Sequence, residues 1–211
     1  MNAPEELLAA ARGNAMGDFL SAAVEAGFCK VGEIFFGREG EGFRVCHWEE
    51  RETTGLMGFH DPHEAMGIAA VDGAGNYRPL KTAPNLRRGW ELKLATLHEL
   101  RLALDLLYPA ALGNWRALVA GAELSAPLEQ TLGRQTGMYR VTAKLDGDGA
   151  RAIADKLCRA GCLRRILWTV EGKPIPCGRE VEGFEIPLLC TDACSLFLGE
   201  ARRVVKAGGL R

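Results

Sequence analysis

Apolar positions along the chain recur with a helical period in some stretches and alternate with polar ones in others, and the changes of period mark the elements. Residues 5–12 and 19–26 predict short helices, the second stopped by Gly27. Alternation at 29–36 and 43–49 predicts two strands, joined through the turn-rich GREGEG segment as a hairpin. Asp61 and Pro62 suit the N-cap and first turn of a helix running to about Val71, where Asp72-Gly73 and Gly75-Asn76 break the chain. Residues 77–90 carry prolines and basic residues without a clean period, which predicts a long ordered loop. A strand follows at 91–95. Thr96 with Glu99 then forms a capping box for a helix with Leu97, Leu100, Leu104 and Leu107 on its apolar stripe. Pro109 ends it, and 110–120 predicts a further helix with Trp115 inward.

Small residues and prolines at 121–133 mark a weak boundary, after which the pattern changes. Residues 138–145 alternate as a strand, with Tyr139, Val141, Ala143 and Leu145 on one face. Residues 149–160 are helical, with Ile153, Ala154, Leu157 and Cys158 on one side, and 165–170 is a short apolar strand. Such a βαβ-like unit predicts a parallel, right-handed crossover. A last helix is expected from about Thr191 to Lys206, ended by Gly208-Gly209. The fold class is α+β: a mixed N-terminal domain over 1–130 and a smaller α/β domain over 131–211.

Composition narrows the function. Of 211 residues, 47% are apolar and 25% charged, the balance of a globular protein with a full core. A net charge of −1 gives no global attraction to nucleic acid or to an anionic membrane. No apolar run approaches the roughly 20 residues that span a bilayer, and the N-terminal stretch lacks a basic region followed by an apolar one. A cytoplasmic location is therefore expected. In a reducing compartment seven cysteines point to metal rather than to disulfides, and an odd total fits a closed disulfide framework poorly.

Four of the seven form an echo: Cys158-Arg-Ala-Gly-Cys162 where a helix is predicted to end, and Cys190-Thr-Asp-Ala-Cys194 where the next begins. Residues four apart in a helical turn point the same way. A left-handed Gly161 would turn Cys162 back towards Cys158, and the dipole of the last helix would face the second pair. Arg159, Arg164 and Arg165 add positive charge nearby. Three readings compete: ordinary buried cysteines, a structural zinc site in a non-redox interaction module, and an iron–sulfur cluster, whose thiolates spread over a wider pocket than a single ion needs. The spacing favours the third. Four thiolates serve 2Fe–2S and 4Fe–4S clusters alike. Cys177, in a Pro-rich loop, is an unpaired bystander or a substitute ligand; Cys29 and Cys46 fall on hairpin strands, where core cysteines are the plainer expectation and a facing pair the alternative.

Other groups carry less. His60 and His63 bracket an Asp-Pro step and with His47 would make a metal site only if their directions agreed; surface histidines are the plainer expectation, as for His98. Arg78, Lys81, Arg87 and Arg88 gather in one loop, and Arg134 in another, either as a solvated loop with salt bridges inside its own domain or as candidate contacts for a carboxylate ligand or an acidic partner. Nucleotide-binding glycine motifs and hydrolase motifs are absent from the sequence, so no stand-alone catalytic activity is expected.

The stretches GNYRPLKTAPNLRRGWEL (75–92), LYPAALGNWRA (107–117), LGRQTGMYRVTAKL (132–145), CRAGCLRRILW (158–168) and PLLCTDACSLF (187–197) carry a resemblance across residues 30–205. The chain resembles the stabilising domain and C-terminal 4Fe–4S domain that follow the chelatase core in CbiX-type, sirohydrochlorin cobaltochelatase-like proteins. The resemblance implies that Cys158, Cys162, Cys190 and Cys194 are the ligands of a 4Fe–4S cluster, with Cys177 outside the set. It implies an accessory role in electron transfer, redox sensing or partner stabilisation for tetrapyrrole metallation. The partner would be a separate chelatase or redox protein, and a tetrapyrrole would be the candidate ligand, because these residues leave no room for the chelatase core.

Overall fold

The computed structural model describes residues 5–176 and 183–208. In chain order it contains α1 (Glu5–Arg12), α2 (Met16–Glu25), β1 (Lys30–Val31), β2 (Ile34–Glu39), β3 (Gly42–His47), β4 (Met57–Phe59), α3 (Glu64–Ala70), β5 (Trp90–Leu94), α4 (Leu97–Leu107) and α5 (Ala111–Val119). These are followed by α6 (Leu128–Gly133), a 3-10 helix (Gly137–Lys144), α7 (Gly147–Ala154), a π turn (Asp155–Arg159), β6 (Arg165–Ile166), β7 (Thr169–Val170), β8 (Lys173–Pro174), β9 (Glu185–Ile186), β10 (Leu189–Cys190) and α8 (Ser195–Gly208). The α+β class expected from the sequence holds. The chain gathers into two compact units, Met1–Glu123 with Glu180–Leu188, and Leu124–Arg179 with Leu189–Arg211. The first unit thus takes back a late segment that a cut at residue 130 would leave with the second.

In the first unit, described strands form a mixed sheet in the order β4-β5-β3-β2-β1-β9. The β2–β3 hairpin appears as the alternation predicts, with Ile34, Phe36, Val45 and Cys46 buried. The strand expected over 29–36 breaks at Gly32, so Phe35 of β2 stands between Lys30 of β1 and Cys46 of β3. Cys29 and Cys46 therefore do not face each other across a hairpin. The capping box forms as read: Thr96 Oγ1 accepts from the Glu99 amide at 3.2 Å, and Glu99 accepts from the Thr96 amide at 3.1 Å. Leu100, Leu104 and Leu107 of α4 are buried, and Trp115 of α5 packs against Phe19 and Phe28 with ring centroids 4.8 and 4.7 Å apart. The helix after Asp61-Pro62 begins at Glu64, because the Asp61 carboxylate closes a turn on the His63 amide at 2.9 Å.

The second unit departs further from expectation. Residues predicted as a strand over 138–145 form the 3-10 helix. Thr142 is the buried position of this helix, with Tyr139, Val141 and Leu145 half-buried around it. Thr142 is fully buried because its hydroxyl donates to the Tyr139 carbonyl at 2.7 Å. With that strand gone, the βαβ unit is gone too. The parallel pair is instead β6 with β10, Arg165 opposite Leu189 and Ile166 opposite Cys190. Leu128, Ile153, Ala154, Ile166, Trp168, Val170, Ile175, Phe197 and Ala201 form the core of this unit.

Gly32 gives the sharpest test of the first unit's packing. Its φ of +57° favours glycine, and a Cβ there would stand 2.6 Å from the Tyr108 ring, whose hydroxyl accepts from the Glu33 amide at 3.1 Å. Gly32→Ala should cost about 2–4 kcal/mol. Gly67→Ala in α3, where nothing lies within 4 Å, should stabilise by about 0.5–1 kcal/mol. Urea unfolding with hydrogen exchange at the β2–β3 amides measures both, and equal effects of the two changes would refute this account.

Candidate iron–sulfur site

Cys158 sits within the π turn that continues α7, half-buried against the core that includes Ile153, Trp168 and Cys190. Asp146 caps α7 by accepting from the Gly149 amide at 2.8 Å. The π turn is held from outside by Arg159 on Asp155 at 2.9 Å and by Lys156 on Glu200 of α8, also at 2.9 Å. Arg203 joins Lys156 on the half-buried Glu200 carboxylate, and together they hold it down to about 2, well below the usual carboxylate range. Gly161 does not take the expected left-handed conformation. What it provides is room: a Cβ would stand 2.8 Å from the Leu157 carbonyl oxygen. The chain can therefore turn tightly into half-buried Cys162.

The second pair is arranged differently from the helical-turn expectation. Cys190 ends β10, and Cys194 directly precedes α8, where its carbonyl accepts from the Leu198 amide at 3.0 Å. Asp192 explains why the helix starts late. Its carboxylate accepts from the Ala193 amide at 2.8 Å and from the Thr131 hydroxyl at 2.5 Å, with Arg134 at 3.3 Å, and it holds a turn that a helix would abolish. Cys194 is exposed, and Cys190 is buried.

Around the Cys190 sulfur the surroundings are specific. The Trp168 indole N–H donates to Sγ at 3.5 Å, and the thiol in turn donates to the Asp192 carbonyl at 3.2 Å. Burial is the largest influence and pushes the thiol pKa up; the Trp168 bond and the Arg164 charge pull it down, and Cys194 and Cys162 push it up again. Cys162, Cys194 and Arg164 thus share one electrostatic neighbourhood with Cys190, while Cys158 packs on the same core. Arg164 is the one predicted cation seen acting on this thiol, since Arg159 is engaged by Asp155. Among the described residues, no three His, Cys, Asp or Glu side chains converge as closely as a single metal ion requires. Cys177 lies outside the described residues.

The other candidates have internal occupations. Arg78 is buried: Nε donates to Asn85 Oδ1 at 2.8 Å, and Nη2 to the Lys81 and Ala83 carbonyls at 2.7 and 2.5 Å. Lys81 donates to the Leu106 carbonyl at 3.0 Å, and Arg88 pairs with Glu49 at 2.6 Å. Arg87 is half-buried, with its Nε turned inward and its carbonyl accepting from the Trp90 indole at 2.7 Å. These residues organise the 77–90 loop. His47 is buried rather than on the surface; its Nδ1 accepts from the Glu49 amide at 3.2 Å, and burial lowers its pKa. His63 pairs with Asp61 at 2.8 Å, and His98 is exposed as expected.

Thiol reactivity tests this geometry. Burial lifts Cys46 to about 11 from 9.0, which means about a hundredfold less thiolate in mild alkali than an unshifted thiol would show. In cluster-free folded protein, Cys194 should alkylate first and Cys46 last, with Cys190 lagging Cys194. The Cys46 rate should climb as pH rises towards 11. Mass spectrometry of quenched time points gives the order, and Cys190 reacting as fast as Cys194 would contradict its buried placement.

Comparison with known proteins breaks the chain near residue 119, close to the first boundary between the units, but keeps residues 180–188 with the second match. Residues 18–118 match the DR2241 stabilising domain, and residues 120–203 match the 4Fe-4S iron-sulfur cluster binding domain. Among solved structures, DR2241 from Deinococcus radiodurans is similar over 89% of this chain, with 31% identity and a TM-score of 0.72. It is described as a multi-domain protein with structural similarity to chelatases and two additional novel domains, and the chain spans 41% of its length. No curated protein matches. The chain is built from a DR2241 stabilising domain followed by a 4Fe–4S iron–sulfur cluster binding domain.

Proposed function

We propose that Cys158, Cys162, Cys190 and Cys194 hold the 4Fe–4S cluster and that the chain serves tetrapyrrole metallation as a redox or stabilising accessory beside a chelatase. The observation that carries the ligand set is the shared neighbourhood of Cys190, Cys162, Cys194 and Arg164 on the core that Cys158 also joins. When bound, the cluster supplies one-electron chemistry. The chain's own residues do the rest. Cys190 brings a buried sulfur, Cys194 an exposed one at the start of α8, and the half-buried Cys158 and Cys162 flank the tight turn at Gly161. The Arg164 charge favours the thiolate form that ligation requires.

The link to metallation rests on the chelatase likeness stated for DR2241. A separate chelatase is the expected partner, a tetrapyrrole the expected ligand of the assembly, and a reducing, cytoplasmic compartment the setting that suits free thiols. Among the described residues no helix is long and apolar enough to cross a membrane. The loop cations named from the sequence hold their own loop together, so an anionic ligand would have to draw Arg88 away from Glu49.

Anaerobic reconstitution should give a brown protein bleached by dithionite, with about four iron and four sulfide per chain. Cys→Ser at 158, 162, 190 or 194 should each abolish or convert the cluster, whereas Cys29→Ser, Cys46→Ser and Cys177→Ser should retain it. Iron analysis and electron paramagnetic resonance of the reduced protein read the result. A cluster that survives Cys194→Ser and is lost in Cys177→Ser would replace one ligand in this assignment.

A further inference from the structure

Trp168 is 2% exposed, and its indole N–H can only donate. A buried indole needs an acceptor, and the acceptor here is the sulfur of Cys190, at 3.5 Å. The ring lies edge-on to Phe197 of α8, with centroids 5.2 Å apart and planes at 70°. The backbone beside it is fixed as well. The Leu167 amide donates to the Cys190 carbonyl at 3.0 Å, and the Ser125 hydroxyl donates to the Leu167 carbonyl at 3.1 Å. One side chain thus touches the buried cysteine through a hydrogen bond and the helix that follows Cys194 through ring packing.

We propose that Trp168 is a positioning residue that sets the redox potential of the cluster through its N–H bond to the Cys190 sulfur. This rests on the assignment of Cys190 as a ligand. In the cluster-free protein Sγ carries a proton donated to Asp192. Ligation replaces that proton with iron and releases it to solvent, while the indole N–H keeps its own proton and still needs an acceptor. A donor on a cluster sulfur favours the more electron-rich state, because adding one electron to the cluster increases charge on the sulfurs without breaking a bond. The N–H therefore raises the potential. Among the four proposed ligands, the indole bond is seen at Cys190.

The test uses the full chain, reconstituted anaerobically and titrated with dithionite. Trp168→Phe keeps a ring against Phe197 and removes the donor. It should retain a full complement of iron and sulfide, shift the midpoint potential to more negative values, and move the iron–thiolate stretching bands in the resonance Raman spectrum. Phe197→Leu, which disturbs the packing but not the donor, should lower stability and leave the potential in place. The unsubstituted protein provides a check independent of folding: exchange into heavy water should shift the same iron–thiolate bands. If Cys190→Ser leaves cluster and potential unchanged, the ligand assignment fails and takes this inference with it. If Cys190→Ser destroys the cluster while Trp168→Phe retains it at the original potential, the role of Trp168 alone is overturned. A heavy-water-insensitive spectrum in the unsubstituted protein overturns it too.

Discussion

The second unit is organised around a sulfur that has been taken out of water. Burying Cys190 raises the cost of its thiolate, and ligation needs that thiolate. The structure answers with one hydrogen bond from Trp168 and one charge from Arg164. Removing either acceptor or donor from the indole–sulfur pair leaves a buried polar group without its partner, at about 1–3 kcal/mol for a group of this kind. The bond is therefore a structural requirement as well as a chemical influence. Trp168 is drawn into the core by Phe197, Ile153 and Val170, and the sulfur comes with it.

The two cysteine pairs share a spacing but not a conformation. Cys158 and Cys162 leave a π turn through a glycine that fits because no Cβ could pass the Leu157 carbonyl. Cys190 and Cys194 bridge a strand end and a helix start through a turn held by Asp192, Thr131 and Arg134. Equal numbers of intervening residues therefore give different directions and different exposures, from buried Cys190 to exposed Cys194.

Much of the first unit was legible because its signals are local. The β2–β3 hairpin, the Thr96–Glu99 box and the inward Trp115 each follow from a period or a cap that a few neighbouring residues define. The four cysteines were legible as a matched pair of pairs. What the sequence concealed depends on partners far along the chain. Arg78 looked like a surface cation because charge usually stays wet, yet Asn85 and two carbonyls hold its Nε and Nη2 in the interior, with Glu33 3.7 Å from Nη2. Residues 138–145 alternate well enough for a strand, but Thr142 is buried through a bond to its own turn's carbonyl, which a 3-10 turn supplies and a strand does not. Trp168 carried no signal of its role, since its acceptor lies 22 positions later. The return of β9 to the first unit was equally hidden, because a two-residue strand has no period to detect.

That short strand raises the question of what fixes its register. A two-residue parallel pairing offers few backbone bonds, so side chains must decide. Lys30 and Glu185 are direct register partners, and their charges meet at 2.9 Å with side chains 3% and 8% exposed. Lys30 also lies over the Trp48 ring, 4.9 Å from its centre. A buried ion pair is weak evidence for stability, because desolvation offsets much of the attraction. It is stronger as a selector. A slip by one residue would set Glu185 opposite Val31 and leave Lys30 charged in the interior, a penalty of about 3–5 kcal/mol when one partner of a buried pair is lost. The register of β9 is thus decided by charge. The ion pair therefore does for β9 what periodicity does for a longer strand: it names the one alignment in which each side chain finds its place.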